Sequence, residues 1–229
     1  MKSVAIFTAT TGRDTLERTI NSVAWQSYPE LHHYVVDDGA DVSEALLPPP
    51  SDDSVSYLRL PKPTGGKGIM NGAICAMAAY IATEDYICFC DDDNWFEPEH
   101  VESLMSVIGD APYAYSLRRL ANPDGSFFAN DDGESLGHHG DLVDVNCYLI
   151  RRDLAMTIAP LWYRTNGSLM IGDRFVWQTL KDGKVPYAAT GRYTVNYTIS
   201  ASKPMQGFFF LKNIMQRAAH PDGFPWAAT

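Results

Sequence analysis

The sequence has no run of 18 or more apolar residues, which excludes a membrane-spanning helix of ordinary length. Its opening, MKSVAIFTATTGR, lacks the longer apolar region and small-residue cleavage site of a secretion signal, and reads as a first core strand. Basic residues are outnumbered: 18 Lys and Arg stand against 28 Asp and Glu, a formal net charge of −10. That balance excludes a broad basic face for nucleic-acid backbones, though not a local basic groove. Cysteine is sparse as well. Cys75, Cys88, Cys90 and Cys147 include no CxxC pair, so no zinc finger or ribbon is encoded. Cys88 and Cys90, two apart on an expected strand, share a face as packed thiols. Reduced thiols without a leader point to a cytoplasmic protein, in which the sequons at Asn166 and Asn196 are chance matches. Nor is TGGKG a P-loop: Pro61 stands where its first glycine belongs, and Gly68 where Ser or Thr is needed.

What is present is ordinary globular composition, 45% apolar and 20% charged over 229 residues, enough for a sizeable core. No internal repeat or low-complexity linker divides the chain, so residues 1–229 are read as one domain. The first half alternates strand and helix. SVAIFTA is a strand, and DTLERTINSVAWQ carries Leu16, Ile20, Val23 and Ala24 at helical spacing, with Asp14 and Glu17 as a capping box. The strands LHHYVV, VSYLRL and YICFC follow, with the small-residue helix GIMNGAICAMAAYIA before the last and PEHVESLMSVI after it. This rhythm predicts an α/β fold with a mainly parallel sheet and helices on both faces. The second half is less regular. YAYSLRRL and DLVDVNCYLI are expected strands, GDRFVWQTLKDG a short helix with Asp173 at its N-cap, and YAATGRYTVNYTIS extended. The tail holds an amphipathic stretch, GFFFLKNIMQRAA.

Ligands of open parallel sheets gather at the carboxyl ends of the strands. Two acidic clusters stand at such ends: Asp37-Asp38-Gly39 after LHHYVV, and Asp91-Asp92-Asp93 after YICFC. Carboxylates at i and i+2 can reach one hard cation, and such a cation can bridge phosphate oxygens. A solvated turn is the commoner fate of either cluster alone. Two at one edge favour a ligand site.

The stretch IFTATTGRDTLERTINSVAWQSYPELHHYVVDDGAD resembles the opening of family 2 glycosyltransferases, and GIMNGAICAMAAYIATEDYICFCDDDNWFEP resembles their next block. The shared order is a strand ending in Thr, an Arg-bearing turn, a strand running into Asp-Asp-Gly, and an apolar strand running into a DXD-type motif. The resemblance extends from Val4 to about Ile108 and is traceable to about Ser202. It implies the GT-A fold, with a donor half over residues 1–110 and an acceptor half with a C-terminal lid over 111–229. It also implies a nucleotide-sugar donor held with Mn²⁺ or Mg²⁺.

On this resemblance Thr8 and Arg13 frame the nucleotide, and Asp37 reads the uracil edge with Asp38 beside it. Asp91 and Asp93 are the outer, metal-binding positions of the DXD motif, and Asp92 lies between them on the donor side. Met70-Asn71 replaces an Arg-Asn pair, which makes Lys67 a candidate for the missing charge on a phosphate. MIGDRFVWQTL follows the family's "ED…LW..L" pattern with Gly172 in place of Glu, so Asp173 is the expected general base. Asn196 stands where a late histidine often contributes.

These residues imply an inverting transfer of one sugar from a UDP-sugar to an acceptor hydroxyl. The QxxRW signature of processive synthases is absent. The acceptor is left open among glycans, proteins and small molecules, the acidic balance disfavours a modified nucleic acid, and the oligomeric state is open too. A sugar-nucleotide nucleotidyltransferase is the first alternative, though TATTGRD matches its basic, glycine-rich loop poorly. A non-catalytic nucleotide-sugar-binding module is the second, against which both acidic clusters and Asp173 speak. His138 and His139 are candidate acceptor contacts, Trp95 is expected to pack on the helix that follows it, and Trp162, Trp177 and Phe208 to Phe210 are expected in core or lid. Arg118, Arg119, Arg151 and Arg152 are expected in surface ion pairs.

Overall fold

The apolar run near the N-terminus becomes an interior strand of a sheet that counts nine strands among the described residues. The computed structural model describes residues 1–42, 53–66, 70–164, 172–199 and 203–226. Strand β1 (Val4–Thr10) pairs in parallel with β2 (Leu31–Asp37), which pairs in parallel with β3 (Val55–Arg59), and on its other side with β4 (Tyr86–Phe89). A strand covered on both faces needs no polar alternation, so Val4, Ala5, Ile6 and Phe7 are all buried. Phe7 stacks on Tyr34 of β2 with ring centroids 4.5 Å apart.

Helix α1 (Leu16–Ala24) turns Leu16, Thr19 and Val23 to the core. The expected Asp14–Glu17 capping box does not form. Thr15 takes the cap position, and its hydroxyl donates instead to the Asp92 carbonyl at 2.7 Å. The start of α1 is thereby tied to the acidic loop. Helix α2 (Gly72–Ile81) is apolar on nearly every side, as a buried helix must be.

Beyond Asp93 come β5 (Trp95–Phe96), α3 (His100–Ile108), β6 (Tyr113–Ala121), β7 (Phe127–Asn130), β8 (Tyr148–Arg151), α4 (Arg152–Trp162), α5 (Gly172–Asp182), β9 (Tyr187–Thr198) and α6 (Lys203–Ala219). The strand order is β3-β2-β1-β4-β8-β6-β9-β5, with β7 paired to β6. The parallel expectation holds for β3-β2-β1-β4 and for β6 with β9, while β8, β7 and β5 join antiparallel. Of the expected strand DLVDVNCYLI, Tyr148 to Ile150 lie in β8, and Val145–Cys147 form a 3₁₀ turn started by Asp144 accepting from the Asn146 amide at 2.9 Å. Helix α4 was not expected; Pro160 inside it masks the pattern. Among the described residues no helix is long and apolar enough to cross a membrane.

Two expectations about side chains are corrected by this packing. Arg118 is no surface residue: β6 carries it inward, where it is 3% exposed. Trp95 packs beneath Arg18 of α1, 3.9 Å from guanidinium carbon to ring centre, rather than on the helix after it. The four cysteines are free and buried, in keeping with packed thiols.

Candidate active site

The carboxyl ends of β1 and β4, with the loop after β2, open onto a cavity of about 390 Å³. Its walls include Thr10, Thr11 and Arg13 after β1, Asp38 after β2, Asn71 before α2, Asp91 to Asp93 after β4, and Asp144 and Asp173 from the second half. Six carboxylates therefore face a single guanidinium among the described lining residues.

Each aspartate after β4 is held differently. Asp91 accepts from Asn71 Nδ2 at 2.5 Å and from Asn146 Nδ2 at 2.9 Å, and its backbone amide donates to Asn146 Oδ1 at 2.6 Å. Burial, and then the nearby Asp144, push its carboxyl up to about 7. Asp92 is tied to the first turn, accepting from Thr10 Oγ1 at 2.8 Å and the Thr11 amide at 3.2 Å. Asp93 pairs with Arg13, which also stands 3.5 Å from Asp92. Burial raises the Asp93 carboxyl, and Arg13 works against the rise.

The acidic turn after β2 divides its work. Asp38 lines the cavity and fixes the next loop, accepting from the Thr64 amide and hydroxyl, each at 2.8 Å, and from the Gly65 amide at 3.2 Å. Asp37, expected at the uracil edge, is fully buried and away from the cavity wall. It accepts from the Ala40 and Val42 amides at 2.7 and 3.0 Å and from Tyr57 Oη at 2.8 Å, with Arg59 Nε at 3.2 Å. Burial alone would raise its carboxyl, but those donors hold it below the usual range. Gly39 is required here. Its φ is +72°, and a Cβ would lie 2.5 Å from the Lys62 backbone.

Thr8, expected in the turn, lies inside β1 with its hydroxyl 2.9 Å from His33 Nε2; Thr10 and Thr11 reach the cavity instead. Lys67 and the Asn166 sequon lie outside the described residues. Asp173 lies in the first turn of α5, after Gly172, rather than at an N-cap. Its carboxylate accepts from the Arg174 amide at 2.7 Å, and burial, reinforced by Asp144, pushes it up to about 6. Gly172 has its own reason: a Cβ there would come 2.2 Å from the Trp162 carbonyl oxygen, so α4 leaves no room for the expected Glu. Asn196 donates to Glu97 at 3.0 Å; of its strand, Tyr197 and Thr198 line the cavity. His138 is stacked on Tyr187 at 3.9 Å, outside the cavity wall.

Asp144 and Asn146 were not anticipated. As alternate polar residues in an apolar run they look like the outward face of a strand. They reach the site because β8 runs antiparallel to β4, with Cys88 opposite Leu149, so residues entering β8 lie beside those leaving β4. On its other side Asp144 meets Arg118, whose guanidinium also binds Asp131 at 2.7 Å and Glu134 at 2.9 Å. Burial works against that charge, yet Asp131, Asp144 and Glu134 hold it well above the usual arginine value.

The sequence model described as "Glycosyl transferase family 2" matches residues 3–155. A search of curated proteins finds no sequence match. Among solved structures, residues 1–349 of S. aureus TarS in complex with UDP-GlcNAc superimpose with a TM-score of 0.64 at 13% identity, covering 90% of this chain and 61% of that one. The same protein segment in complex with UDP gives 0.60 at 12% identity, covering all of this chain and 76% of that one. The chain thus spans about three fifths of the first of these structures. At such identities the likeness concerns the fold.

Proposed function

Because the chain belongs to glycosyl transferase family 2 and has its GT-A fold, we propose that it moves one sugar from a UDP-sugar to an acceptor hydroxyl with inversion. The observation that carries this reading is the cavity itself, where Asp38, Asp91 to Asp93 and Asp173 converge on one space at the strand ends. Residues 1–110 serve the donor and residues 111–229 the acceptor.

Among the described residues no three His, Cys, Asp or Glu side chains form a ready-made metal cage. A hard divalent cation does not require one, since it is commonly held by one or two carboxylates plus substrate phosphates and water. Asp93 and Asp91 fit that donor set, and the surplus of carboxylates in the cavity fits its charge. Mn²⁺ or Mg²⁺ held there would offset the charge that develops on the departing diphosphate. Arg13 would then turn from Asp93 to the diphosphate, and Asn71 would hold Asp91 in place.

Asp173 removes the proton of the acceptor hydroxyl as its oxygen bonds to the anomeric carbon, while the bond from that carbon to the diphosphate oxygen breaks and UDP leaves. A base held near 6 is ionised at neutral pH yet still accepts a proton well. The acidic loop after β4 and the start of α5 line the same space, so donor and base approach the anomeric carbon from different elements.

A screen of UDP-sugars by thermal shift, with and without Mn²⁺, tests this, paired with detection of UDP released to water. A cation-dependent shift with one donor, and slow UDP release, are expected. Silence with every UDP-sugar would overturn the donor assignment, and a donor shift unchanged in Asp93→Ala would overturn the metal assignment.

A further inference from the structure

The acidic loop after β4 is held by its carbonyls as well as its carboxylates. Thr15 Oγ1 donates to the Asp92 carbonyl at 2.7 Å, and Thr19 Oγ1 donates to the Asn94 carbonyl at 2.6 Å. Between them Arg18 Nη2 donates to the Asp93 carbonyl at 3.0 Å. Residues 15, 18 and 19 share one face of a helix, so the start of α1 grips three successive peptide groups of the loop. Two of the grips are neutral hydroxyls. The third is a cation, placed on the residue whose carboxylate already meets Arg13.

The second half of the chain reaches the same atom. Thr198 of β9 donates its hydroxyl to the Asp93 carbonyl, accepts from Arg18 Nη2 at 3.3 Å, and gives its amide to Asn94 Oδ1 at 2.8 Å. Arg18 is half-buried and stacked on Trp95, and its Nε is buried without a hydrogen-bond partner. The β6–β7 turn closes on it too, since a Cβ on Gly125 would come 3.0 Å from Arg18 Nη1. Arg18 lines a second hollow of about 570 Å³ with Trp25 and Glu97, and not the cavity of the aspartates. The two arginines at Asp93 therefore differ. Arg13 is about half exposed on the cavity wall, whereas Arg18 is wedged behind the loop.

We propose that Arg18 is a positioning residue: with Thr198 it fixes the Asp93 peptide so that the carboxylate is directed at the cation, and it thereby ties the cation site to the end of β9. This rests on the reading of Asp93 as a cation ligand. Fastening the loop would need no more than another hydroxyl, as at Asp92 and Asn94. A charged donor makes a hydrogen bond roughly twice as strong as a neutral one. It does so here from outside the cavity, where a ligand of that cavity does not draw it away. A purely electrostatic role would have the opposite sign, because a guanidinium so near the loop repels a divalent cation.

Titration calorimetry of the full chain with Mn²⁺, in the presence of UDP, separates the two. Arg18→Met keeps a stem over Trp95 but removes both the donor and the charge, and Thr198→Val removes a donor without touching charge. Orientation predicts that both weaken Mn²⁺ binding. Arg18→Met should do so by about tenfold, the lower end for groups that orient a metal ligand, and Thr198→Val by less. The Mn²⁺ concentration for half-maximal UDP release should rise in step, while the maximal rate falls less. Equal or tighter Mn²⁺ binding in Arg18→Met would overturn the proposal, even if its melting temperature is lowered. Thr198→Val carries the same test if Arg18→Met does not fold, and unchanged binding there would overturn it too. A wild-type chain that takes up no Mn²⁺ would overturn the cation site itself, which tells that failure apart from a failure of Arg18 alone.

Discussion

Asp144 belongs to two acidic clusters, and they are held in opposite ways. Toward β6 it joins Asp131 and Glu134 around the buried Arg118, and Arg174 reaches Glu134 from the other side at 3.0 Å. Toward β4 it adds to the burial that raises Asp91 and Asp173, and the one guanidinium among the described residues of that cavity wall is spent on Asp93. Buried charge is stable when the same chain supplies its partner. The first cluster therefore works as structure, while the second carries a surplus that suits a ligand bringing positive charge of its own.

The sharpest test of the open cluster is Asp173→Asn. It should lower the rate of UDP release by about 10²–10⁴-fold while calorimetry still shows donor binding. In the wild type the rate at limiting donor should rise with pH through about 6 and then level, because the base works only when ionised and its carboxyl is held up there. The asparagine variant should lose that limb. If it keeps both rate and limb, Asp173 is not the base.

The closed cluster should fail as structure. Arg118→Met leaves Asp131, Glu134 and Asp144 without their shared partner, and should cost about 3–5 kcal/mol in urea unfolding. A loss below about 1 kcal/mol, the scale of a surface pair, would erase the contrast between the clusters. Asp93→Ala should do the reverse, sparing the fold while weakening Mn²⁺-dependent donor binding by about 10–100-fold in titration calorimetry. The smallest effect is expected for Arg13→Ala. Freed of its competitor, Asp93 should bind Mn²⁺ a few-fold more tightly without donor, whereas UDP should bind more weakly. Equal losses of both would mean that Arg13 merely supports the loop.

What could be read from the sequence was what local chemistry decides. β1, β2 and β4 are apolar runs, and β2 and β4 end on acidic turns, so both their strand character and their place at the site's edge are written in a few adjacent residues. Thr8 shows the limit of that reading. It is a strand residue two places too early, and alternation alone does not say which threonine emerges at the end of β1. Arg118 shows a deeper limit. An arginine in YAYSLRRL looks like surface, and its burial is decided by carboxylates 13, 16 and 26 residues later. Asp37 is similar, since only the fold shows that two amides, Tyr57 and Arg59 meet its carboxylate.

The antiparallel entry of β8 beside β4 has a consequence for assembly. Asn146 clamps Asp91 across 55 residues of sequence, so the site closes only after most of the chain has been made and folded back. A polypeptide released at residue 110 would already contain all three aspartates after β4 but not the amide that orients the first of them. Such a fragment should therefore hold a ligand at that loop more weakly than the full chain does.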